Sequence, residues 1–272
     1  GEYLTDRLTD EALALIAKHR EDAFFLYFPH YAVHTPLQAQ KEMVSRYQKV
    51  PKAQRQGKPV YAAMVESVDQ SVGRVMKSLE EHGLAERTLI IFTSDNGGFA
   101  GATDHAPLRA NKGSHYEGGI RVPFMVTGHG VTERGVECDV PVITNDLYPT
   151  ILEVLGLRAR PRQHLDGVSL APILNGTGAI ERDALFWHYP HYNRHPQSAP
   201  VSIVRKGPWK LIAFLESGNL ELYHLAKDLG EAKDLALIEQ DRAQVLKKLL
   251  DDWKSQVGAD PMLPNARFGG RP

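Results

Sequence analysis

Residues 88–98 read Thr-Leu-Ile-Ile-Phe-Thr-Ser-Asp-Asn-Gly-Gly, and this stretch decides the fold class. The run Leu89–Phe92 is apolar on both faces of an extended chain, and it changes abruptly to a polar turn at Asp95. This pattern is typical of a buried parallel strand that ends in a loop. Apolar residues at helical spacing predict a long helix over Val60–Glu81, with Gly83 placed to cap its C-terminus. A helix followed by a buried strand indicates an α/β sheet.

The α/β pattern extends in both directions from this stretch. Upstream, a helix is predicted over Thr9–Lys18 and an apolar strand over Ala23–Phe28. Downstream, a strand is predicted over Val122–Val126 and a helix over Asp146–Leu155. The sequence therefore predicts one α/β domain over residues 1–178.

A different pattern, with short strands between turns, follows residue 178. The predicted strands are Val201–Arg205, Lys210–Phe214 and Leu220–Leu225. A final amphipathic helix is predicted over Ile238–Val257, and its expected apolar face consists of Val245, Leu249 and Trp253. These elements predict a small antiparallel β subdomain with a C-terminal helix over residues 179–260, followed by a surface tail over residues 261–272.

The charge balance and the cysteine content exclude several kinds of protein. The 272 residues contain 32 Lys and Arg against 33 Asp and Glu, so no overall field directs the chain to nucleic acid. The single cysteine, Cys138, cannot form an internal disulfide. The apolar runs are too short for a transmembrane segment, and the first residues read as the middle of a protein rather than as a signal peptide.

Polar side chains that follow apolar strands are the first candidates for a site, because ligands of open α/β sheets bind at the carboxyl ends of the strands. His30 and His34 follow the first predicted strand, and Asp95 and Asn96 follow the second. A carboxylate next to a carboxamide offers the hard oxygens that Ca²⁺ or Mg²⁺ prefers. Two such donors do not complete a Ca²⁺ site, and a simple turn is the alternative interpretation.

Glycines and cations alternate in a third segment, Pro107–Pro123. Such a loop can approach an anion closely, and Lys112 is its compact positive charge. A solvated basic loop is the alternative.

Together these motifs resemble those of the sulfatase family, within the alkaline-phosphatase superfamily. The segments that carry the resemblance occur in the family's order and cover nearly the whole chain: Phe25–Pro36, Tyr61–Gly98, Lys112–Pro123, Asp146–Leu152, Leu165–Leu170 and Leu222–Glu231. The resemblance implies a mostly parallel sheet flanked by helices, of which this chain would hold a part.

The resemblance also implies roles for four residues. Asp95 and Asn96 match metal ligands that hold a divalent cation, Ca²⁺ or alternatively Mg²⁺, against the sulfate oxygens. His34 matches a histidine that hydrogen-bonds the bridging oxygen or protonates the leaving alcohol. Lys112 matches a lysine that binds a sulfate oxygen, so the implied activity is the hydrolysis of a sulfated sugar or an aryl sulfate.

Other residues of these motifs have more modest expected roles. Tyr116, Glu117 and Arg121 are expected to brace the loop by packing and an ion pair. Four histidines are candidates for a substrate pocket, although surface histidines with no ligand are the alternative: His30, His105, His188 and His191.

The sequence departs from the family pattern at the nucleophile. The family converts a Cys or Ser to formylglycine within Cys/Ser-x-Pro-x-Arg, and that motif does not occur in the 272 residues. Cys138 has its proline one place too late, and Ser198 has Ser202 where the arginine belongs. Formylglycine is therefore expected in a parent protein and not in this chain. The chain is expected to be the C-terminal portion of a sulfatase and to be inactive alone.

Alternatives remain open at this point. A phosphatase or phosphonate hydrolase of the same superfamily is the second enzyme hypothesis, and a non-catalytic, truncated binding module is the third. The expected partners are a sulfated small molecule or glycan, with an N-terminal sulfatase fragment or a second copy of the chain as further options. The resemblance implies a periplasmic, extracellular or lysosomal compartment.

Overall fold

A computed structural model describes residues 2–133 and 135–264 of the chain. The helices are α1 (Leu4–Lys18), α2 (Lys41–Gln48), α3 (Pro59–Glu81), α4 (Glu117–Ile120), α5 (Leu147–Val154), α6 (Ala171–Leu174) and α7 (Gln240–Val257). The strands are β1 (Leu89–Thr93), β2 (Phe124–Gly128), β3 (Leu185–Tyr189), β4 (Val201–Lys206), β5 (Trp209–Phe214) and β6 (Leu220–His224).

The elements form two compact units. The N-terminal unit consists of Gly1–Thr93, Gly101–Asp104 and Pro123–Glu181. The C-terminal unit consists of Ser94–Ala100, His105–Val122 and Arg182–Pro272, and so includes the Asp95–Gly98 turn and all but the last residue of the Pro107–Pro123 segment. The domain boundary at residue 178 stays a prediction, and residues 265–272 of the predicted tail lie outside the described residues.

The long helix of the N-terminal unit forms where its sequence pattern predicts. Pro59 occupies its first turn, where no backbone donor is needed, and the chain leaves the helix at Gly83 with a φ of 66°. Its buried face contains small polar residues, and the buried hydroxyls of Ser71 and Thr9 lie 2.6 Å apart between α3 and α1. Val65, by contrast, is 47% exposed.

Two expectations for the sheet of this unit need correction. The strand predicted over Ala23–Phe28 has no strand partner in the described part of the chain, and Phe25 and Tyr27 are exposed. An apolar run forms a strand only where a neighbour supplies hydrogen-bond partners. Secondly, β1 and β2 pair antiparallel, with Leu89 opposite Gly128, and not in parallel. Apolar residues on both faces indicate that both faces of a strand are buried. They do not indicate whether its partner strand runs parallel or antiparallel.

The C-terminal unit is a four-stranded antiparallel sheet in the order β3-β4-β5-β6, with α7 against it. The three predicted strands are confirmed within a residue or two, and β3 is an additional edge strand. The predicted face of α7 is partly wrong, because Leu246 and Leu250 are buried while Val245 is 67% exposed. Trp253 does pack, stacked on Phe186 with ring centroids 4.8 Å apart.

Candidate functional site

Main-chain hydrogen bonds join the Asp95-Asn96 turn to the loop that carries Lys112. The Gly97 N–H donates to the Gly119 carbonyl oxygen at 2.9 Å, and the Lys112 N–H donates to the Gly98 carbonyl oxygen at 3.0 Å. Any Cβ at Gly97 would lie 1.9 Å from the carbonyl oxygen of Gly118, so only glycine permits this approach. The sequence thus places the two predicted motifs side by side in one unit.

The turn offers the side-chain oxygens of Asp95 and Asn96 as candidate ligands. Asp95 is exposed and Asn96 is half-buried. Within the described residues, neither side chain takes part in a hydrogen bond or an ion pair. Hard carboxylate and carboxamide oxygens suit Ca²⁺ or Mg²⁺ chemically. Over residues 2–133 and 135–264, no group of three or more His, Cys, Asp or Glu side chains is arranged to hold a metal ion, so further oxygens are needed to complete such a site.

Lys112 is the cation of the neighbouring loop. Its side chain is half-buried, and no carboxylate of a described residue lies within ion-pair distance of its ammonium group. The next residue, Gly113, has a φ of 87°, which turns the chain sharply after the lysine. A free ammonium on a glycine turn can approach an anion without first breaking an internal ion pair.

A buried ion network holds the Lys112 loop against the C-terminal sheet. The Lys210 ammonium on β5 lies 2.8 Å from Glu117 and 2.9 Å from Glu231, and all three side chains are at most 3% exposed. The Glu117 N–H donates to the Glu231 carboxylate at 2.6 Å, and Arg121 lies 3.7 Å from Glu117. Burial raises the pKa of Glu231, an effect that Lys210 opposes. The expected bracing role of Glu117 and Arg121 agrees with this geometry.

An aromatic layer adds a second brace to the same loop. The Arg109 guanidinium lies 3.8 Å from the centroid of the Tyr116 ring and donates to the Tyr223 hydroxyl at 2.8 Å. Both tyrosine hydroxyls donate to Glu221, Tyr116 at 2.7 Å and Tyr223 at 2.8 Å. Burial, followed by the hydrogen bond to Glu221, raises both tyrosine pKa values, so both hydroxyls stay protonated as donors.

The loop between β3 and β4, residues 190–200, lies on the other side of the Lys112 loop. The Asn193 side chain donates to the Gly113 carbonyl oxygen at 2.9 Å, and the His195 ring covers Gly113. The Asn111 amide donates to Gln197 at 3.5 Å. Sequence reasoning singled out only His191 in this loop, because the contacts of the loop with the Lys112 segment join residues 80 or more positions apart in the chain.

The two histidines that follow the first predicted strand lie in the N-terminal unit. His34 is exposed, and its Nδ1–H donates to the Thr35 carbonyl oxygen at 2.7 Å, because a carbonyl can only accept. Its Nε2 is therefore an acceptor in the neutral ring and a donor in the charged ring. The Nε2 of His30 lies 3.4 Å from the Ser71 hydroxyl, and burial lowers its pKa.

The other candidate histidines lie in the C-terminal unit. Both His188 nitrogens are engaged: Nε2 donates to the Asp260 carbonyl oxygen at 2.7 Å, and Nδ1 lies 2.8 Å from the Ser202 hydroxyl. His191 is exposed beside the ring of Tyr189. His105 is half-buried at a turn where its carbonyl oxygen accepts from the Leu108 N–H. Their substrate-binding roles stay predictions.

Fold and candidate site define a class of protein: an α/β protein whose glycine-rich loops carry oxygen donors and a lysine that have no side-chain partner among the described residues. The sulfatase family profile matches residues 1–157, and the profile for the C-terminal region of N-sulphoglucosamine sulphohydrolase matches residues 110–257. The chain therefore belongs to the sulfatase family. No helix in the described part of the chain has the length and apolar character needed to cross a membrane.

Known relatives agree with this assignment. A sulfatase from Formosa agariphila is 38% identical over 266 residues, which cover 90% of this chain and 48% of the relative. The crystal structure of Ps i-CgsB in complex with k-i-k-neocarrahexaose superposes with a TM-score of 0.80 at 30% identity, over 93% of this chain and 55% of that chain. The structure of BT4656 in complex with its substrate D-glucosamine-2-N,6-O-disulfate has a TM-score of 0.63 at 25% identity, over 76% and 42% of the two chains.

These matches confirm the predicted α/β, alkaline-phosphatase-like fold class. This chain spans about half the length of the relatives it matches.

Proposed function

We propose that this chain supplies the sulfate-binding part of a sulfatase site that hydrolyses a sulfated sugar, with an aryl sulfate as the simpler alternative. One observation carries the proposal: the free Asp95-Asn96 turn and the loop of the free Lys112 are joined by main-chain hydrogen bonds at 2.9 Å and 3.0 Å. The two main-chain segments that carry oxygen donors for a cation and an ammonium for an anion are thus held next to each other. The sulfated-sugar class is supported by the disulfated sugar substrate of the BT4656 structure.

In this proposal each side chain has a defined task. The Lys112 ammonium binds a sulfate oxygen and stabilises negative charge that grows on the ester during bond cleavage. His34 carries its proton on Nδ1, fixed by the Thr35 carbonyl oxygen, and its protonated Nε2 delivers a proton to the leaving alcohol. Neither task needs a change in the hydrogen bonds that hold the two residues.

Asp95 and Asn96 are the proposed protein ligands of a Ca²⁺ ion, with Mg²⁺ as the alternative. A bound divalent cation neutralises charge on the sulfate oxygens. Because Ca²⁺ binds roughly six to eight oxygens, donors beyond Asp95 and Asn96 would be needed to hold it. Chelation with EDTA is expected to abolish turnover, and added Ca²⁺ is expected to restore it.

The nucleophile is proposed to come from residues outside these 272, because Cys/Ser-x-Pro-x-Arg does not occur among them. The isolated chain is therefore expected to show no turnover of 4-nitrophenyl sulfate, whereas the protein expressed from its complete coding sequence is expected to be active. Measurable turnover by the isolated chain would contradict this part of the proposal.

The site assignment is tested in the protein expressed from its complete coding sequence. Lys112→Ala and Asp95→Asn are each expected to lower kcat/KM for 4-nitrophenyl sulfate by about 100-fold or more. Lys248→Ala and Asp252→Asn, an exposed ion pair on α7, are the matched controls and should leave kcat/KM unchanged. Equal losses in both pairs would overturn the assignment. Faster hydrolysis of 4-nitrophenyl phosphate than of the sulfate would favour the phosphatase alternative.

A further inference from the structure

The β3–β4 loop is attached to the chain on both sides of Lys112. On one side, the Asn193 side chain donates to the carbonyl oxygen of Gly113 at 2.9 Å. On the other side, Asn111 donates to the side chain of Gln197 at 3.5 Å. Both sequence neighbours of Lys112 therefore contact this loop, so the loop lies beside the backbone that carries the Lys112 ammonium.

The loop is fixed by its own hydrogen bonds and by a glycine. The His195 N–H donates to Asn193 Oδ1 and the Asn193 N–H donates to Ser198 Oγ, both at 2.9 Å. The His195 ring lies so close to Gly113 that a Cβ there would be 2.3 Å from its carbons. The conformation of the loop is therefore set before any ligand arrives, which lowers the entropy cost of binding.

The loop itself carries basic side chains, and the carboxylate that contacts it, Glu216, lies on its Tyr192 hydroxyl. Residues 190–200 include His191, Arg194 and His195 and contain no Asp or Glu. Arg194 is exposed, and among the residues that the structure describes its guanidinium has no ion pair or hydrogen bond. Within the same described residues, Lys112 has no ion pair either. Two free cations on loops that contact one another favour a ligand with more than one negative group.

We propose that the β3–β4 loop forms a second anion subsite beside Lys112, in which Arg194 binds a second sulfate or a carboxylate of the substrate. A guanidinium matches either group with two parallel hydrogen bonds. The substrate class is then a polyanionic glycan with a second anionic group near the sulfate ester that is cleaved. This inference rests on the proposed function, because it assigns the first sulfate to Lys112.

Arg194→Ala in the protein expressed from its complete coding sequence tests the subsite. The His195 ring is unsuitable as the target, because its removal would also loosen the packing on Gly113. Three competitive inhibitors of 4-nitrophenyl sulfate hydrolysis are compared: galactose 6-sulfate, glucosamine 2-N,6-O-disulfate and a monosulfated disaccharide that contains a uronic acid. The first has one anionic group, and the other two distinguish a second sulfate from a carboxylate.

The expected result is selective. Arg194→Ala should raise the inhibition constant of at least one doubly anionic sugar about 10-fold to 100-fold. It should change the constant for galactose 6-sulfate, and kcat/KM for 4-nitrophenyl sulfate, by less than about threefold. Arg194→Lys should give an intermediate effect, since it keeps the charge and loses the two-bond geometry. Arg158→Ala, an exposed arginine of the N-terminal unit, is the control and should change nothing.

Equal changes for singly and doubly anionic sugars, or no change for any, would overturn the subsite. Failure of the proposed function is recognised separately, because the wild-type protein would then not hydrolyse 4-nitrophenyl sulfate. In that case calorimetric binding of the three sugars to the wild-type protein and to Arg194→Ala still decides the subsite. Selective loss of the doubly anionic sugars would support it, and identical affinities would exclude it.

Discussion

Replacement of Lys210 by methionine is the most direct perturbation of the ion network that holds the Lys112 loop. The change leaves the carboxylates of Glu117 and Glu231, which are 3% and 0% exposed, without the ammonium at 2.8 Å and 2.9 Å. At an effective dielectric constant near 20, each of these contacts has a gross attraction of about 6 kcal/mol. Desolvation of the three charges and repulsion between the carboxylates offset most of it. Removal of one partner from such a buried pair typically costs about 3–5 kcal/mol, and this loss is expected here.

Tryptophan fluorescence during urea unfolding measures this loss of stability in the C-terminal unit, which contains the Lys210 network. The chain has 3 tryptophans, and Trp187, Trp209 and Trp253 all belong to the C-terminal unit. Lys248→Met is the matched control, because Lys248 is 76% exposed in its pair with Asp252 and should change the free energy of unfolding by less than about 1 kcal/mol.

The pH dependence gives a second, independent readout. Burial already raises the pKa of Glu231, and loss of Lys210 removes the main group that opposes this rise. A carboxyl whose pKa is higher in the folded than in the unfolded state stabilises the fold at low pH, and this contribution is lost as pH rises through the folded pKa. The deficit of Lys210→Met should therefore be smaller near about pH 5 than near about pH 8. A loss below about 1 kcal/mol at both pH values would refute the reasoning.

Three further predictions concern packing and titration. Gly97→Ala places a Cβ 1.9 Å from a main-chain carbonyl oxygen and should lower stability by about 1–3 kcal/mol, whereas Gly73→Ala, in a helix with open space, should raise it by about 0.5–1 kcal/mol. Thermal unfolding of both variants checks the contrast, and equal shifts in Tm would argue against the close approach. Leu250→Ala should lower the free energy of unfolding in urea by about 2–5 kcal/mol, because Leu250 is 0% exposed. Val245→Ala should lower it by less than about 0.5 kcal/mol, because Val245 is 67% exposed. The reverse order would support the helix face predicted from sequence. Burial, with a smaller contribution from Lys210, lowers the pKa of His115 to about 4. The NMR titration of His115 should therefore be centred near this value, and the fold should lose stability as pH falls from about 6.5 toward 4. A titration midpoint near about 6.5 would contradict this prediction.

Much of the fold could be predicted from local sequence signals. The helix α3 begins at a proline and ends before a glycine, and the strands β4 to β6 alternate with clear turns, so their signals lie within a few residues of each element. The partner of β1 and the pairing of Ala23–Phe28 depend on distant segments, and hydropathy does not encode them. The burial of Leu246 rather than Val245 also depends on how α7 sits against the sheet.

The residues of the candidate site fall into the same two groups, those predicted from local sequence and those that depend on distant contacts. Asp95, Asn96 and Lys112 could be identified because they follow a strand or lie in a glycine-rich loop, and the family motifs contain them. The role of Glu231, which ends one of the motif segments, and that of Arg194 could not be predicted, because each makes or borders contacts with residues about 80 or more positions away. A charged residue in a turn looks like ordinary surface in the sequence, and only the three-dimensional structure reveals its partners.

Two lysines of the C-terminal unit show that partners, and not residue type, determine which cation is available to an anion. Lys210 has no exposed surface and lies within 3 Å of Glu117 and Glu231, so its charge is already compensated. Lys112 is half-buried and has no carboxylate of a described residue within ion-pair distance. Glu117 lies on the same glycine-rich segment as Lys112, so the pair that neutralises Lys210 also fixes the loop on which Lys112 stays free. Relaxation of the buried network is therefore expected to weaken anion binding even though Lys210 itself never contacts the anion.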